Sequence, residues 1–145
     1  MLKRTSTVVW KGNGPKGTGT ISTLSGALKE LPYSVNSRFV AEDGRAGTNP
    51  EELLAATHAA CFTMALSFQL TNAGHEPTEL STTATVSMDK VNDQWTITQI
   101  HLDTQGTVPG VDGAKFQELA DTAKKGCPIS RALAATPISM TAKLA

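Results

Sequence analysis

The chain lacks an excess of either charge: among its 145 residues, 13 Lys and Arg balance 13 Asp and Glu. A nucleic-acid protein normally carries a basic face that meets phosphate charge, so this neutrality argues against that class. It also lacks an apolar leader, because Met1-Leu2-Lys3-Arg4-Thr5-Ser6-Thr7 is charged with no hydrophobic run behind it. The longest apolar region, 53–70, is broken by Thr57, His58, Thr63, Ser67 and Gln69. A membrane span needs about 20 mostly apolar residues, and this stretch is too interrupted to fit. The expectation is a soluble cytoplasmic protein with no membrane or nucleic-acid partner. Cysteine is scarce, with two in the chain. Without an export signal a permanent structural disulfide does not fit, since cytosolic reductants keep ordinary thiols reduced. Two inert buried thiols are then the plain alternative to a reactive pair. Repeats, low-complexity tracts and linkers are absent too, and the length suits a single domain, 1–145.

What is present reads as strands, a helix, a hairpin, a helix and a strand. Residues 5–10 are rich in β-branched side chains, Gly12-Asn13-Gly14-Pro15 makes a turn, and 18–21 and 33–40 read as extended. Asn49-Pro50-Glu51-Glu52 is a helix start: Asn caps free amides, Pro suits the first position, and acids suit the positive end of the dipole. That helix should run to about Asn72 and stop at Gly74. Its apolar residues go nearly all the way round, which predicts burial on most sides. Segments 80–90 and 94–104 form a hairpin pattern around Val91-Asn92-Asp93. An amphipathic helix follows Asp112 and ends near Gly126, a short helix spans 128–135, and 137–144 alternates as a closing strand. The class is α+β.

Cys127 precedes Pro128, which places it at a helix N-cap, where unpaired amides and the dipole favour a thiolate. Cysteine is not a preferred cap residue, so the position points to function over mere capping. Cys61 sits mid-helix, where the dipole gives nothing and apolar burial raises a thiol pKa. Taken by itself it is a packing residue, and reactivity would need a cation brought from elsewhere. Arg38 falls in an otherwise uncharged strand-like run, where a solvated outward arginine is the commoner case. His58 and Cys61 stand at i, i+3, but two ligands do not make a structural zinc site, and no metal is expected. His58 reads as a polar neighbour of a cavity or a helix-face residue without a role. Ser67 and Ser130 have no base near them in sequence, which leaves a serine hydrolase unsupported.

Three segments together resemble the OsmC/Ohr family of thiol-dependent peroxidases. They are Asn36-Ser37-Arg38-Phe39, then Thr48-Asn49-Pro50-Glu51-Glu52-Leu53-Leu54 through His58-Ala59-Ala60-Cys61-Phe62, then Cys127-Pro128-Ile129-Ser130-Arg131. The resemblance covers essentially the whole chain. It favours the OsmC branch, because the Ohr branch takes its arginine from the first hairpin, where this chain has Lys16-Gly17-Thr18-Gly19. The Ohr branch also favours tyrosine where this chain has Ile129.

The resemblance implies an organic hydroperoxide reductase with long buried central helices packed on antiparallel sheets in an intertwined homodimer. It implies that Cys61 is the peroxidatic thiolate and Cys127 the resolving thiol, that Arg38 holds the thiolate and that Glu51 orients Arg38. No bound cofactor is implied; a lipoyl-type or other small dithiol would be the reductant. A non-catalytic redox sensor or hydrophobic-ligand carrier on the same scaffold is the alternative. Leu54, Met64, Phe39 and Phe68 are candidates for an apolar pocket, or plain core. Glu51 and Cys61 are separated by about 15 Å of helical rise. The expectation drawn from this is that the Glu51 serving a given Cys61 comes from another subunit; Arg38 and Glu51 paired inside one chain would remove it.

Overall fold

A computed structural model describes all 145 residues, and the chain divides into two compact units, Met1–Leu53 and Leu54–Ala145. The first is built on an antiparallel sheet of β1 (Ser6–Lys11), β2 (Thr18–Thr23) and β3 (Leu31–Ser34), in that order. This sheet has little core of its own. Ile21 is its one buried large apolar side chain, whereas Val8, Val9 and Trp10 on β1 are exposed.

The extended run expected over 33–40 ends early. After Ser34 the chain makes a single π-helical turn, Asn36–Val40. The cause is local: the Ser37 hydroxyl donates to Ser34 O and Thr48 O and accepts from the Ser34 N–H. The Ser37 N–H in turn donates to Ser34 Oγ. Short hydroxyl side chains offer the backbone these partners in place of a ladder, and two serines three apart do so here. Pattern reading sees only β-branched and aromatic residues and misses this competition.

Helix α1 spans Pro50–Asn72, as expected from its start and stop signals. Asn49 Oδ1 accepts from the Glu52 N–H at 2.8 Å, and the helix closes with Gly74 at φ 85 and a His75 N–H to Leu70 O bond. Its burial differs from expectation. Only His58, Phe62, Leu66 and Leu70, an i, i+4 stripe, are buried, and Met64 and Phe68 are 65% and 62% exposed. The interruptions in 53–70 also exclude less than expected, for at 23 residues α1 is long and apolar enough to cross a bilayer by length and composition. Its buried stripe, however, packs into protein.

The second unit holds β4 (Glu79–Val91), β5 (Gln94–Thr107), α2 (Gly113–Gly126), α3 (Pro128–Ala132) and β6 (Ile138–Leu144). The β4–β5 hairpin turns at Asn92 and Asp93, both with positive φ (51 and 61), as a tight two-residue loop requires. This sheet is mixed rather than antiparallel throughout, because β6 pairs parallel to β5. A parallel partner needs a crossover, and α2 and α3 supply it. Asp112 caps α2 by accepting from Lys115 N–H. The α1 stripe joins Leu102 of β5 and Phe116, Leu119 and Ala120 of α2 in one core. Gly106 is glycine for a packing reason: a Cβ there would lie 2.8–2.9 Å from Leu80 and the Phe116 ring.

Candidate active site

The second unit brings the two cysteines together. Cys61 lies on α1 at the edge of the core stripe and Cys127 in the bend between α2 and α3, fully buried. Both are free thiols, and Cys127 Sγ donates to Cys61 Sγ at 2.7 Å across 66 residues of sequence. The bend is fixed by Pro128 at the first position of α3 and by the Cys127 N–H bonding back to Ala123 O at 2.8 Å.

Cys127 is the N-cap of α3, as its neighbour Pro128 predicts, but its side chain does not bond the helix amides. One of those amides serves the other cysteine. Burial pushes the Cys61 thiol above its ordinary 9.0 and the hydrogen bond from Cys127 pushes it further, whereas a backbone hydrogen bond from Ile129 works in the opposite direction. The helix-terminus effect expected at Cys127 is thus directed at Cys61. Burial is the largest of these influences, and the net direction is upward.

The first unit brings together the other two candidates. Arg38, in the π turn, forks onto Glu51 with Nη2–Oε1 at 2.7 Å and Nε–Oε2 at 3.2 Å. Such a bidentate pair fixes the guanidinium plane. Asn49 locks the two segments: while its oxygen caps α1, its Nδ2 donates to Ser37 O. Glu52 takes the capping part, accepting from Thr48 Oγ1. The Arg38 guanidinium also lies 4.7 Å over the Phe39 ring. Arg38 and Glu51 pair inside one chain, which removes the expectation that the Glu51 serving a given Cys61 comes from another subunit on the argument of spacing alone. Helix α1 starts beside the π turn, which sequence spacing alone does not reveal.

The candidate pocket residues separate. Phe39 lines a hollow of about 230 Å³ with Arg38, Trp10 and Tyr33. Met64 lines a groove of about 590 Å³ with Ala59, Ala60, Thr63 and Leu80. Leu54 and Phe68 line neither.

Sequence reasoning missed one pair. Ser130 does have a base beside it: His58, fully buried, holds Nε2 at 2.8 Å from Ser130 Oγ. The signal was available, since His58 precedes Cys61 by three and Ser130 follows Cys127 by three. His58 Nδ1 has no partner, and burial lowers the ring's pKa below 6.5, so the imidazole is neutral. With no carboxylate on Nδ1, this is not a hydrolase triad.

Residues 42–143 match the family model described as OsmC-like protein. The chain is 50% identical over 126 residues to peroxiredoxin OsmC of Escherichia coli (strain K12), covering 87% of this chain and 86% of that one. It is 36% identical over 90 residues to an organic hydroperoxide resistance protein of Xanthomonas axonopodis pv. citri (strain 306), covering 61% of each. The crystal structure of the organic hydroperoxide resistance protein OhrB of Bacillus subtilis superposes with a TM-score of 0.73 at 28% identity, covering 97% of this chain and 98% of that one.

Proposed function

The chain belongs to the OsmC/Ohr family of thiol peroxidases, and from that premise we propose that it reduces organic hydroperoxides to alcohols with Cys61 and Cys127 as its redox pair. The observation that carries this reading is the 2.7 Å contact between two sulfurs 66 residues apart. The Cys61 thiolate attacks the O–O bond, and the departing alkoxide takes a proton and leaves as the alcohol. Cys61 is left as a sulfenic acid. The Cys127 sulfur then displaces its hydroxyl as water and closes a disulfide. A small external dithiol of the lipoyl type reopens that disulfide by exchange, and no bound cofactor takes part.

A half-buried Cys61 whose pKa is raised needs a cation to become a good nucleophile. Arg38, held by Glu51, is the candidate, and it also polarises the peroxide. In place of the arrangement first expected, we propose that the Arg38–Glu51 pair, joined within its own chain, meets the Cys61 of a second copy in a homodimer. Two observations support this: Glu51 lies about 15 Å of helical rise from Cys61 on α1, and α1 leaves Met64 and Phe68 uncovered.

Complementation tests both parts. Purified wild-type protein with an organic hydroperoxide and a dithiol is expected to consume peroxide, and Cys61→Ser is expected to stop it. Mixing Cys61→Ser with Arg38→Ala chains, each inactive alone, is expected to regain activity, because the mixed dimer holds one intact site. Mixtures that stay inactive after verified subunit exchange would place Arg38 and Cys61 on the same chain. Peroxide consumption that persists in Cys61→Ser would remove the assignment altogether.

A further inference from the structure

We infer that the buried His58–Ser130 hydrogen bond is a strut that holds α3 against α1, so that Cys127 stays beside Cys61 after Cys61 has been oxidised. His58 and Ser130 are positioning residues for the second chemical step. The inference rests on the peroxidase reading for its place in a catalytic cycle.

The geometry is a two-rung ladder. His58 and Cys61 occupy one face of α1, three residues apart, and Cys127 and Ser130 stand three apart at the start of α3. The rungs are Cys61–Cys127 at 2.7 Å and His58–Ser130 at 2.8 Å, with the two segments running in opposite directions. The His58–Ser130 rung is out of water, with His58 fully buried and Ser130 nearly so, whereas the thiol rung joins a buried Cys127 to a half-buried Cys61. The imidazole nitrogen away from Ser130 has no partner, so Ser130 is the ring's hydrogen-bonding anchor.

The chemistry gives the second rung its purpose. Of these two side-chain bonds between α3 and α1, one is the thiol contact itself. When peroxide converts Cys61 to a sulfenic acid, that contact is broken and an oxygen is placed on the sulfur. Resolution then needs Cys127 to attack the Cys61 sulfur: an S–S bond forms, the S–O bond breaks, and the leaving hydroxide takes the Cys127 proton to give water. Helix α3 is only five residues long, and besides these bonds Ile129 is its apolar contact with the core. A segment free to drift at this point would expose the sulfenic acid to a second peroxide and to irreversible sulfinic acid. His58–Ser130 is the rung that oxidation leaves intact. Its neutral imidazole suits a dry site, where a charged ring would pull the segment toward water.

The test uses the full-length protein and two readouts. In the first, the Cys61–Cys127 pair is titrated with oxidised and reduced glutathione. Ser130→Ala, which removes the bond with little change in volume, is expected to need about tenfold more oxidised glutathione for half-conversion, the ratio set by one hydrogen bond of average net strength. His58→Leu should shift the same way, and His58→Gln, whose amide reaches a similar position, should recover most of the shift. In the second, single-turnover oxidation by tert-butyl hydroperoxide is followed by mass spectrometry. Sulfenic acid formation, measured in a Cys127→Ser background, is expected to be unchanged by Ser130→Ala, whereas disulfide formation slows about tenfold and sulfinic Cys61 accumulates.

Equal glutathione midpoints for wild type and Ser130→Ala, or no difference between His58→Gln and His58→Leu, would overturn the inference. So would a fall in both chemical steps together, which marks general loosening of the fold. A wild-type protein that ignores the peroxide yet shows the glutathione shift would remove the peroxidase reading and leave the strut in place.

Discussion

The two units of this chain solve opposite problems. The first carries charge at its surface: Arg38 and Glu51 are locked to each other beside an open sheet that exposes Val8, Val9 and Trp10. The second carries the sulfur, with Cys127 sealed in the core and partial burial raising the pKa of the Cys61 thiol. On the proposed reading neither suffices alone. A thiol without a cation is inert, and a guanidinium without a nucleophile is a surface ion pair.

The contrast can be broken most forcefully at the sulfur. Cys61→Ser should lower peroxide turnover by at least about a thousandfold, since the remaining thiol, Cys127, is sealed in the core. The core that holds it should be next in sensitivity. Phe62→Ala, one position along α1 and fully buried, should destabilise the fold by about 3–5 kcal/mol in urea unfolding. Phe68→Ser, exposed on the same helix, should leave monomer stability nearly unchanged and weaken association in sedimentation.

The charge side should show activity loss without stability loss. Arg38→Ala is expected to slow iodoacetamide labelling of Cys61 about a hundredfold, the range set by removing one preorganised donor. Its cost in stability should stay under about 1 kcal/mol, because the guanidinium is about a third exposed and screened by water. In a pH series, wild-type labelling should have its midpoint below 9.0 and the variant above it, as the buried thiol alone requires. Equal labelling rates would mean that the arginine does not act on this sulfur.

The smallest expected effect belongs to His58. Its pKa in the folded chain lies below the 6.5 of an exposed ring, so between those values the unfolded chain binds more protons. Stability is therefore unaffected above pH 6.5 and falls as pH drops below it. His58→Gln should flatten that slope in thermal unfolding at pH 5 to 7. A slope unchanged in the variant would assign the acid sensitivity to the carboxylates.

Most elements were legible because their signals are local. Asn49-Pro50, Asp112 and Gly74 start or stop helices through groups within four residues, and Asn92-Asp93 sets its hairpin by the positive φ it tolerates. The misreadings came where a local rule met a competitor. Ser34 and Ser37 converted an apparent strand into the π turn that carries Arg38. Helix α1 looked buried all round from its composition, yet within the chain only the His58, Phe62, Leu66 and Leu70 stripe is covered. The parallel β6 was hidden because strand direction depends on how many elements intervene, not on the strand's own residues.

The sequence by itself determined the helices, the hairpin and the identity of the four reactive candidates, because each follows from residue chemistry within a turn or two of helix. Only the tertiary structure decided which of them meet. Cys61 with Cys127, His58 with Ser130, and Arg38 with Glu51 are separated by 66, 72 and 13 residues, and each pair becomes a contact near 2.8 Å through packing and loop geometry. The reason is the range of the forces: propensity and capping act over a few bonds, whereas sulfur chemistry, buried hydrogen bonds and ion pairs act over a few ångströms of space. The chain converts one distance into the other only when its core has formed.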